Sequence, residues 1–290
     1  MKISRGYFLT GVIPVAIVFT TILIFPMVYV LYLMFRDDSL LDPNSSSFVG
    51  LTNFERALQD ARFWEALLHS GIFSAVSLLV SIPLGILLAI YLSSQGLFPR
   101  IVRTLVIVPM VLAPLVVGSL FRFLLDSNSV IPWIGASLGI QLPPLLSTPG
   151  LALITISIVD AWQWTPLVGI IVYSGIQALN PSVYEAAKLD GATRFQEVIH
   201  IVLPQLRPLL VLVVLIRFMD SFREFDKVFI MSGGGPGTSS ETLPVYLWRF
   251  SFQYLEVGYS AAVGFLMLIL ISVVSALIVK FFKGVRSTSE

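Results

Sequence analysis

The chain alternates long apolar blocks with short polar connections. Apolar blocks lie near residues 7–35, 69–94, 104–125, 149–177, 207–231 and 259–282. Each is long enough, as a helix, to cross roughly 30 Å of hydrocarbon. Pro14, Pro26, Pro83, Pro109, Pro114 and Pro166 fall inside these blocks. Proline in a membrane helix predicts kinks whose freed carbonyls are satisfied by neighbouring helices or water. The pattern predicts an all-α, polytopic membrane protein with six kinked spans, forming a single domain over residues 1–290. Met1-Lys2-Ile3-Ser4-Arg5 followed by an apolar run is reminiscent of a signal peptide. The run is far longer than a cleavable segment and no small-x-small site closes it, so a retained first span is expected.

Between the spans, three segments carry patterns of their own. From Asn53 to Leu68, Phe54, Leu58, Ala61, Trp64 and Leu68 recur at helical spacing, with Glu55, Arg56, Asp60 and Arg62 elsewhere. This predicts an amphipathic helix, either lying on the membrane surface or capping the bundle. After Met231, Ser-Gly-Gly-Gly-Pro-Gly-Thr-Ser-Ser is a turn-rich loop without the Lys and helix context of a phosphate-binding loop. The third segment, 180–207, predicts a helix-turn-helix. Ser182 and Glu185 have capping-box spacing, and Gly191 offers a stop. Thr193 to Gln196 opens a second helix with Phe195, Val198, Ile199 and Val202 on one face, ended by Pro204.

Composition narrows the class. Apolar residues make up 56% of the 290, charged residues only 12%, and the mean hydropathy is +0.90. Soluble chains carry about 25% charged residues. A net charge of +1 without a basic run excludes an electrostatic nucleic-acid partner. The absence of cysteine removes disulfides, thiolate metal sites and thiol nucleophiles. Two histidines far apart, His69 and His200, make no metal site. With the N-terminus inside, the cytoplasmic segments hold Lys2, Arg5, Arg100, Arg103, Lys188, Arg194, Arg207, Lys280, Lys283 and Arg286. The outer segments hold Arg36, Arg56, Arg62 and Arg249, with Asp37, Asp38 and Asp42 beside them. Ten basic residues against four place both termini and the 180–207 loop in the cytoplasm.

Ionisable groups inside spans are expensive and face a cavity or a partner. On the fifth span, Phe218, Phe222, Phe225 and Phe229 form one predicted stripe, and Arg217, Asp220, Arg223 or Glu224, and Lys227 another. Arg217 comes about 15 Å into that helix at 1.5 Å per residue. Two readings stand: a water-filled pathway, or ion pairs holding the bundle together. On the fourth span Asp160, Trp162, Gln163 and Trp164 precede Pro166. Carboxylates and amides bond sugar hydroxyls, and flat aromatic faces stack on a sugar ring. One of the two tryptophans is expected to be an interfacial anchor instead. Arg122 is expected to snorkel or to pair with Asp126.

The 180–207 loop carries a specific resemblance. Glu185-Ala186-Ala187, three residues, Gly191, nine residues and then Ile201-Val202-Leu203-Pro204 resemble the EAA loop of binding-protein-dependent ABC importer permeases. Val49-Gly50-Leu51-Thr52-Asn53-Phe54, Phe63-Trp64, Gly233 to Gly237 with Glu241-Thr242-Leu243, and Gly258-Tyr259-Ser260-Ala261 resemble the carbohydrate-uptake branch, maltose-type, in its first permease. His69-Ser70 departs from the Asn-Thr that many relatives have there. The resemblance implies a type I importer fold with a cytoplasmic coupling helix. It assigns ATPase coupling to Glu185, Ala186, Ala187, Lys188, Asp190, Gly191, Leu203 and Pro204. Asp160, Trp162, Gln163, Trp164, Asp220, Arg223 and Glu224 become candidates for the solute pathway. The implied partners are a second permease subunit, two cytosolic ATPase subunits that use ATP and Mg, and an external binding protein delivering a sugar. The chain itself is then no enzyme and binds no cofactor, in the cytoplasmic (inner) membrane of a bacterium or archaeon. The rival reading is an ion-coupled secondary transporter using the fifth-span charges as a relay.

Overall fold

The computed structural model describes residues 8–41, 46–94, 96–127, 129–180, 182, 191 and 193–284. Among them every regular element is helical; Arg36–Phe48 and Ser39–Glu256 form only isolated bridges. Among the described residues, five helices are long and apolar enough to cross a membrane: Ile13–Leu33, Ala61–Leu92, Pro114–Ser137, Leu151–Gln177 and Val257–Phe282. The bent pair Val198–Gln205 and Arg207–Phe222 makes a sixth when counted as one span. Five helices carry the argument below: α1 (Ala61–Leu92), α2 (Pro114–Leu125), α3 (Leu151–Gln177), α4 (Arg207–Phe222) and α5 (Asp226–Ser232).

The chain divides into two compact units. One takes Met1–Trp64 with Tyr246–Leu270. Leu33, Met34, Ala261 and Ala262 form its small core, against which Phe54 and Phe265 pack. Asn53 is buried because its Nδ2 donates to the carbonyls of Met34 (3.1 Å) and Arg36 (2.8 Å), closing the end of the first span. Gly258 is required for its size: a Cβ there would stand 2.0 Å from the Arg36 carbonyl oxygen. The predicted amphipathic helix over Asn53–Leu68 is two helices. Thr52–Gln59 ends at an extended Asp60, whose Oδ1 accepts the Arg62 N–H at 2.9 Å, and α1 begins at Ala61. Asp60 caps the new helix, so the second half of the segment runs directly into the second span.

The second unit takes Glu65–Val245 with Ile271–Glu290. Its main core joins Phe73 of α1, Val117 and Leu125 of α2, Leu153, Ile156 and Val159 of α3, and Val228 and Met231 of α5. A second core joins Ala89, Val168 and Val172 to Val202, Leu206 and Val213. The α1–α3 crossing is built on Gly85 and Gly169. A Cβ on Gly85 would lie 2.4 Å from Val168 Cγ1, and one on Gly169 would lie 2.7 Å from Leu88 Cδ2. Small residues allow this approach, as is usual between membrane helices.

Three interruptions depart from the predicted spans. In the 104–125 block, Leu112 and Ala113 are extended before Pro114, because the residue before proline is driven out of the helical region. Before the fifth span, the helix does not end at Pro204. Pro204 sits in the first turn of Leu203–Gln205, and the chain bends by 68° at Leu206. Pro208, with no N–H, cannot continue the ladder from the preceding turn. The predicted continuous helix over 207–231 breaks at Arg223–Phe225. Glu224 compensates the break by accepting the Lys227 backbone N–H on Oε1 at 2.9 Å. Lys227 and Arg217 nonetheless meet on Asp160, while Asp220 stands apart from them and pairs with Arg223.

Two arginines close helix ends. Arg103 Nη2 donates to the Leu92 carbonyl at 3.0 Å and lies 4.4 Å over the Tyr173 ring. Arg207 Nη2 donates to the Phe282 carbonyl at 2.8 Å. A cation at a helix C-terminus meets the negative end of the helix dipole.

Candidate functional site

Asp160 and Gln163 lie one helical turn apart on α3, so they share a face. Both are buried, as are Ser77 of α1, Arg217 of α4 and Lys227 of α5. The Arg217 guanidinium meets Asp160 Oδ2 through Nη2 at 2.6 Å and Ser77 Oγ at 2.8 Å. Ser77 donates in turn to Asp160 Oδ2. Lys227 Nζ donates to Gln163 Oε1 and to Glu224 Oε2, each at 2.9 Å. It also stands 2.9 Å from Asp160 Oδ1, an ion pair without hydrogen-bond directionality. Gln163 Nε2 donates to the Leu112 carbonyl at 2.8 Å, at the extended Leu112–Ala113 step before Pro114.

Two acids and two bases thus share one buried cluster of zero net charge. In hydrocarbon an isolated charge of this kind costs several kcal/mol, so mutual pairing is the condition of burial. The pairing is incomplete. Arg217 Nε and Nη1 have no hydrogen-bond partner among the described residues, and the Trp164 ring lies 5.7 Å from the guanidinium carbon. The cluster leaves donors facing an aromatic plane inside a helix bundle.

The predicted pathway residues divide around it. Asp160, Gln163 and Glu224 belong to the cluster, and Trp164 borders it. Trp162 is 42% exposed and packs edge-on against Phe121, with centroids 5.1 Å apart. Asp220 and Arg223 are the more exposed members and pair with each other at 3.1 Å. Of the cluster's other members, Arg217 and Lys227 were singled out in sequence as in-span charges, whereas Ser77 was not. What sequence lacked was their partner on the fourth span. Arg122 donates from Nη1 to the Ile230 carbonyl at 2.8 Å. His69 Nδ1 lies 3.1 Å from the Glu241 carbonyl and His200 Nδ1 3.2 Å from that of Gln196.

Of the residues to which the resemblance assigns ATPase coupling, Glu185, Ala186, Ala187, Lys188 and Asp190 lie outside the described residues. Gly191 has φ of +76° and open space around it, the left-handed region that favours glycine. The Thr193–Gln196 box is formed. Gln196 Oε1 accepts the Thr193 N–H at 2.8 Å, and Thr193 Oγ1 accepts the Gln196 N–H at 3.4 Å. Val202 and Leu206 are buried in the second core, while Pro204 between them is exposed. The second helix of the loop is therefore rooted in the bundle at its C-terminal end.

Comparison with known proteins agrees in one direction. Residues 81–287 match the family model described as the binding-protein-dependent transport system inner membrane component. A probable ABC transporter permease of Sinorhizobium fredii is 32% identical over 93% of this chain and 88% of its own length. The arabinooligosaccharide transport permease of Bacillus subtilis is 30% identical over 98% of this chain and 91% of its own. The trehalose/maltose transport permease of Thermococcus litoralis is 29% identical over 92% and 89%. Among solved structures, a chain of a bacterial ABC transporter involved in alginate import superposes with a TM-score of 0.82. It is 23% identical, with 96% of each chain covered, which establishes the fold.

Proposed function

The chain belongs to the family of binding-protein-dependent transport system inner membrane components, and from that premise we propose that it moves a sugar or sugar-like solute handed to it by an external binding protein. It is a multi-pass permease subunit of the ABC importer type. The observation that carries the sugar reading is full-length similarity to permeases named for trehalose/maltose and arabinooligosaccharide uptake. The site chemistry supports it. On this reading Glu224, the least buried acid of the cluster, offers a carboxylate to a hydroxyl and Trp164 an aromatic face beside Arg217. Asp160 and Gln163, fully buried and bonded within the cluster, meet a solute only when the cluster opens. Trp162, Asp220 and Arg223 stand apart from that cluster and, on this reading, act where the pathway opens.

The working assembly is a second permease, two cytosolic ATPase subunits that use ATP and Mg, and the binding protein. Glu185, Ala186, Ala187, Lys188, Asp190, Gly191, Leu203 and Pro204 form the surface on which an ATPase subunit docks. Burial of Val202 and Leu206 supports this, because it ties that surface to the spans it must move. On this reading both termini lie in the cytoplasm, which the excess of basic residues in those segments supports. This chain carries no nucleotide site and no cofactor of its own. ATP-driven closure of the ATPase pair biases the permease between two packed arrangements.

The test is uptake by the complex purified with its native partners and reconstituted in liposomes. Saccharides, polyols and sugar phosphates are screened in the presence of the binding protein. One of them is expected to stimulate ATP hydrolysis and to accumulate only with ATP inside. Accumulation driven by a proton or sodium gradient without ATP would restore the ion-coupled alternative.

A further inference from the structure

Two membrane helices are interrupted beside the same glutamine. The third block breaks at Leu112–Ala113 and resumes as α2; the fifth breaks at Arg223–Phe225 and resumes as α5. Each break frees backbone groups that hydrocarbon cannot satisfy. The Leu112 carbonyl is taken by Gln163 Nε2 at 2.8 Å, and Gln163 Oε1 takes Lys227 Nζ at 2.9 Å, in the first turn after the other break. One side chain of the uninterrupted α3 thus holds both resuming helices at their starting ends. Asp160, one turn away, adds a second tie to Lys227.

Beyond the breaks, α2 and α5 are joined to each other along their length. Gly118 lets the α5 backbone come close enough that a Cβ there would lie 3.3 Å from Lys227 Cα. Val117 and Leu125 pack in one core with Val228 and Met231. Arg122 Nη1 closes the far end on the Ile230 carbonyl at 2.8 Å. The turn after α5 folds back through Ser232 Oγ and Ser240 Oγ, 2.8 Å apart. The pair packs continuously along its length and each helix starts at a break in its span, which is the anatomy of a hinged body.

We infer that α2 and α5 form one rigid piece that turns about Gln163 during the transport cycle, with Gln163 a positioning residue that makes the two broken spans move together. This rests on the importer reading above. A continuous helix would spread any displacement over its length, whereas two aligned breaks concentrate it at one level. Gln163 serves both breaks because an amide offers a donor and an acceptor at once.

The chain has no cysteine, so pairs of introduced cysteines take spin labels at unique positions on it. Labels at Phe123→Cys on α2, Thr238→Cys in the turn after α5 and Ile158→Cys on α3 report three distances in the reconstituted complex with its native partners. These are measured nucleotide-free and trapped with ATP and vanadate. The 123–158 and 238–158 distances are expected to change between the two states, and the 123–238 distance to stay constant. A 123–238 change as large as the other two overturns the inference while leaving the importer reading intact. A complex in which no pair responds to ATP, and which accumulates solute on an ion gradient, overturns the importer reading and the inference with it. Gln163→Leu is expected to lower solute moved per ATP hydrolysed about tenfold, within the usual range of coupling between sites, and to broaden the 123–238 distance distribution. A ratio within about twofold of the parent's, where a typical coupling is 5–150-fold, also overturns it. Should that variant fail to assemble, the three distances in the Gln163 parent decide alone.

Discussion

Arg217 and Asp160 meet at 2.6 Å with side chains 0% and 1% exposed, joining the fifth span to the fourth at a depth where neither charge survives alone. Removing one partner of a buried pair costs about 3–5 kcal/mol, because the remaining charge stays buried without compensation. Asp160→Ala is therefore expected to destabilise the purified complex strongly. Asp160→Ala combined with Arg217→Met should recover part of the loss, since Lys227 keeps Glu224 at 2.9 Å. Thermal unfolding of the four members of this cycle measures the coupling. Strictly additive losses would show that the two residues act independently.

Gly85 sets the distance between α1 and α3. An alanine Cβ there would lie 2.4 Å from Val168 Cγ1 and 3.1 Å from the Gly169 backbone nitrogen. Overpacking of this kind costs about 1–3 kcal/mol. Gly71, earlier on α1, has nothing within 4 Å of the same position. Gly71→Ala is expected to be neutral or mildly stabilising, as alanine outranks glycine in a helix by about 1 kcal/mol. Melting temperatures of the two single variants should thus move in opposite directions, and equal losses would point to helix propensity instead of the crossing.

Span positions were legible because length and apolar continuity are strong signals. The helix start at Thr193 and the positive φ at Gly191 follow from residue type. The break at Arg223–Phe225 was not legible, because no proline or glycine marks it. It is stabilised by Glu224 reaching forward to Lys227, a contact that a continuous helix would also predict as an ordinary pair. The four-residue grouping on the fourth span could have been divided in advance. At 100° per residue Asp160, Gln163 and Trp164 share a face, while Trp162 points well away from it. Which element supplied the counter-charge to Asp160 depended on the packing of α4 and α5 against α3, and no local pattern encodes that.

Tyr246 links two segments of the first unit. Its hydroxyl donates to Asp60 Oδ2 at 2.6 Å and lies 2.6 Å from the Tyr259 hydroxyl. Burial, reinforced by the hydrogen bond to Asp60, pushes its pKa far above the ordinary value of 10.0. The folded state therefore holds this proton more tightly than the unfolded chain. The stabilisation is complete below about pH 10, where an unfolded tyrosine begins to ionise, and falls as pH rises further. Tyr246→Phe is expected to lower stability by about 1 kcal/mol near neutrality and to flatten the alkaline decline. Melting curves at about pH 8 and about pH 11, either side of the tyrosine pKa, check both parts. A decline as steep in the variant as in the parent would assign it to another group.

The 180–207 loop is the proposed link between the spans and the ATPase subunits. Glu185 follows Ser182 at capping-box spacing, which predicts its carboxylate for the first turn of the proposed docking helix, where negative charge is favoured. Glu185→Arg reverses that charge and presents a long cation to the ATPase surface, while leaving the spans and the rooted Val202 and Leu206 untouched. Insertion of the chain should be normal. ATP-dependent uptake should fall at least about tenfold, corresponding to a loss of about 1.4 kcal/mol in docking. Co-purification of the ATPase subunits separates the two routes to that outcome. A detached ATPase indicates that the loop holds the partner, whereas an attached ATPase that hydrolyses ATP without uptake indicates that the loop transmits force. Normal uptake by Glu185→Arg would remove the coupling assignment, and the mechanical link would then have to be sought elsewhere on the cytoplasmic face.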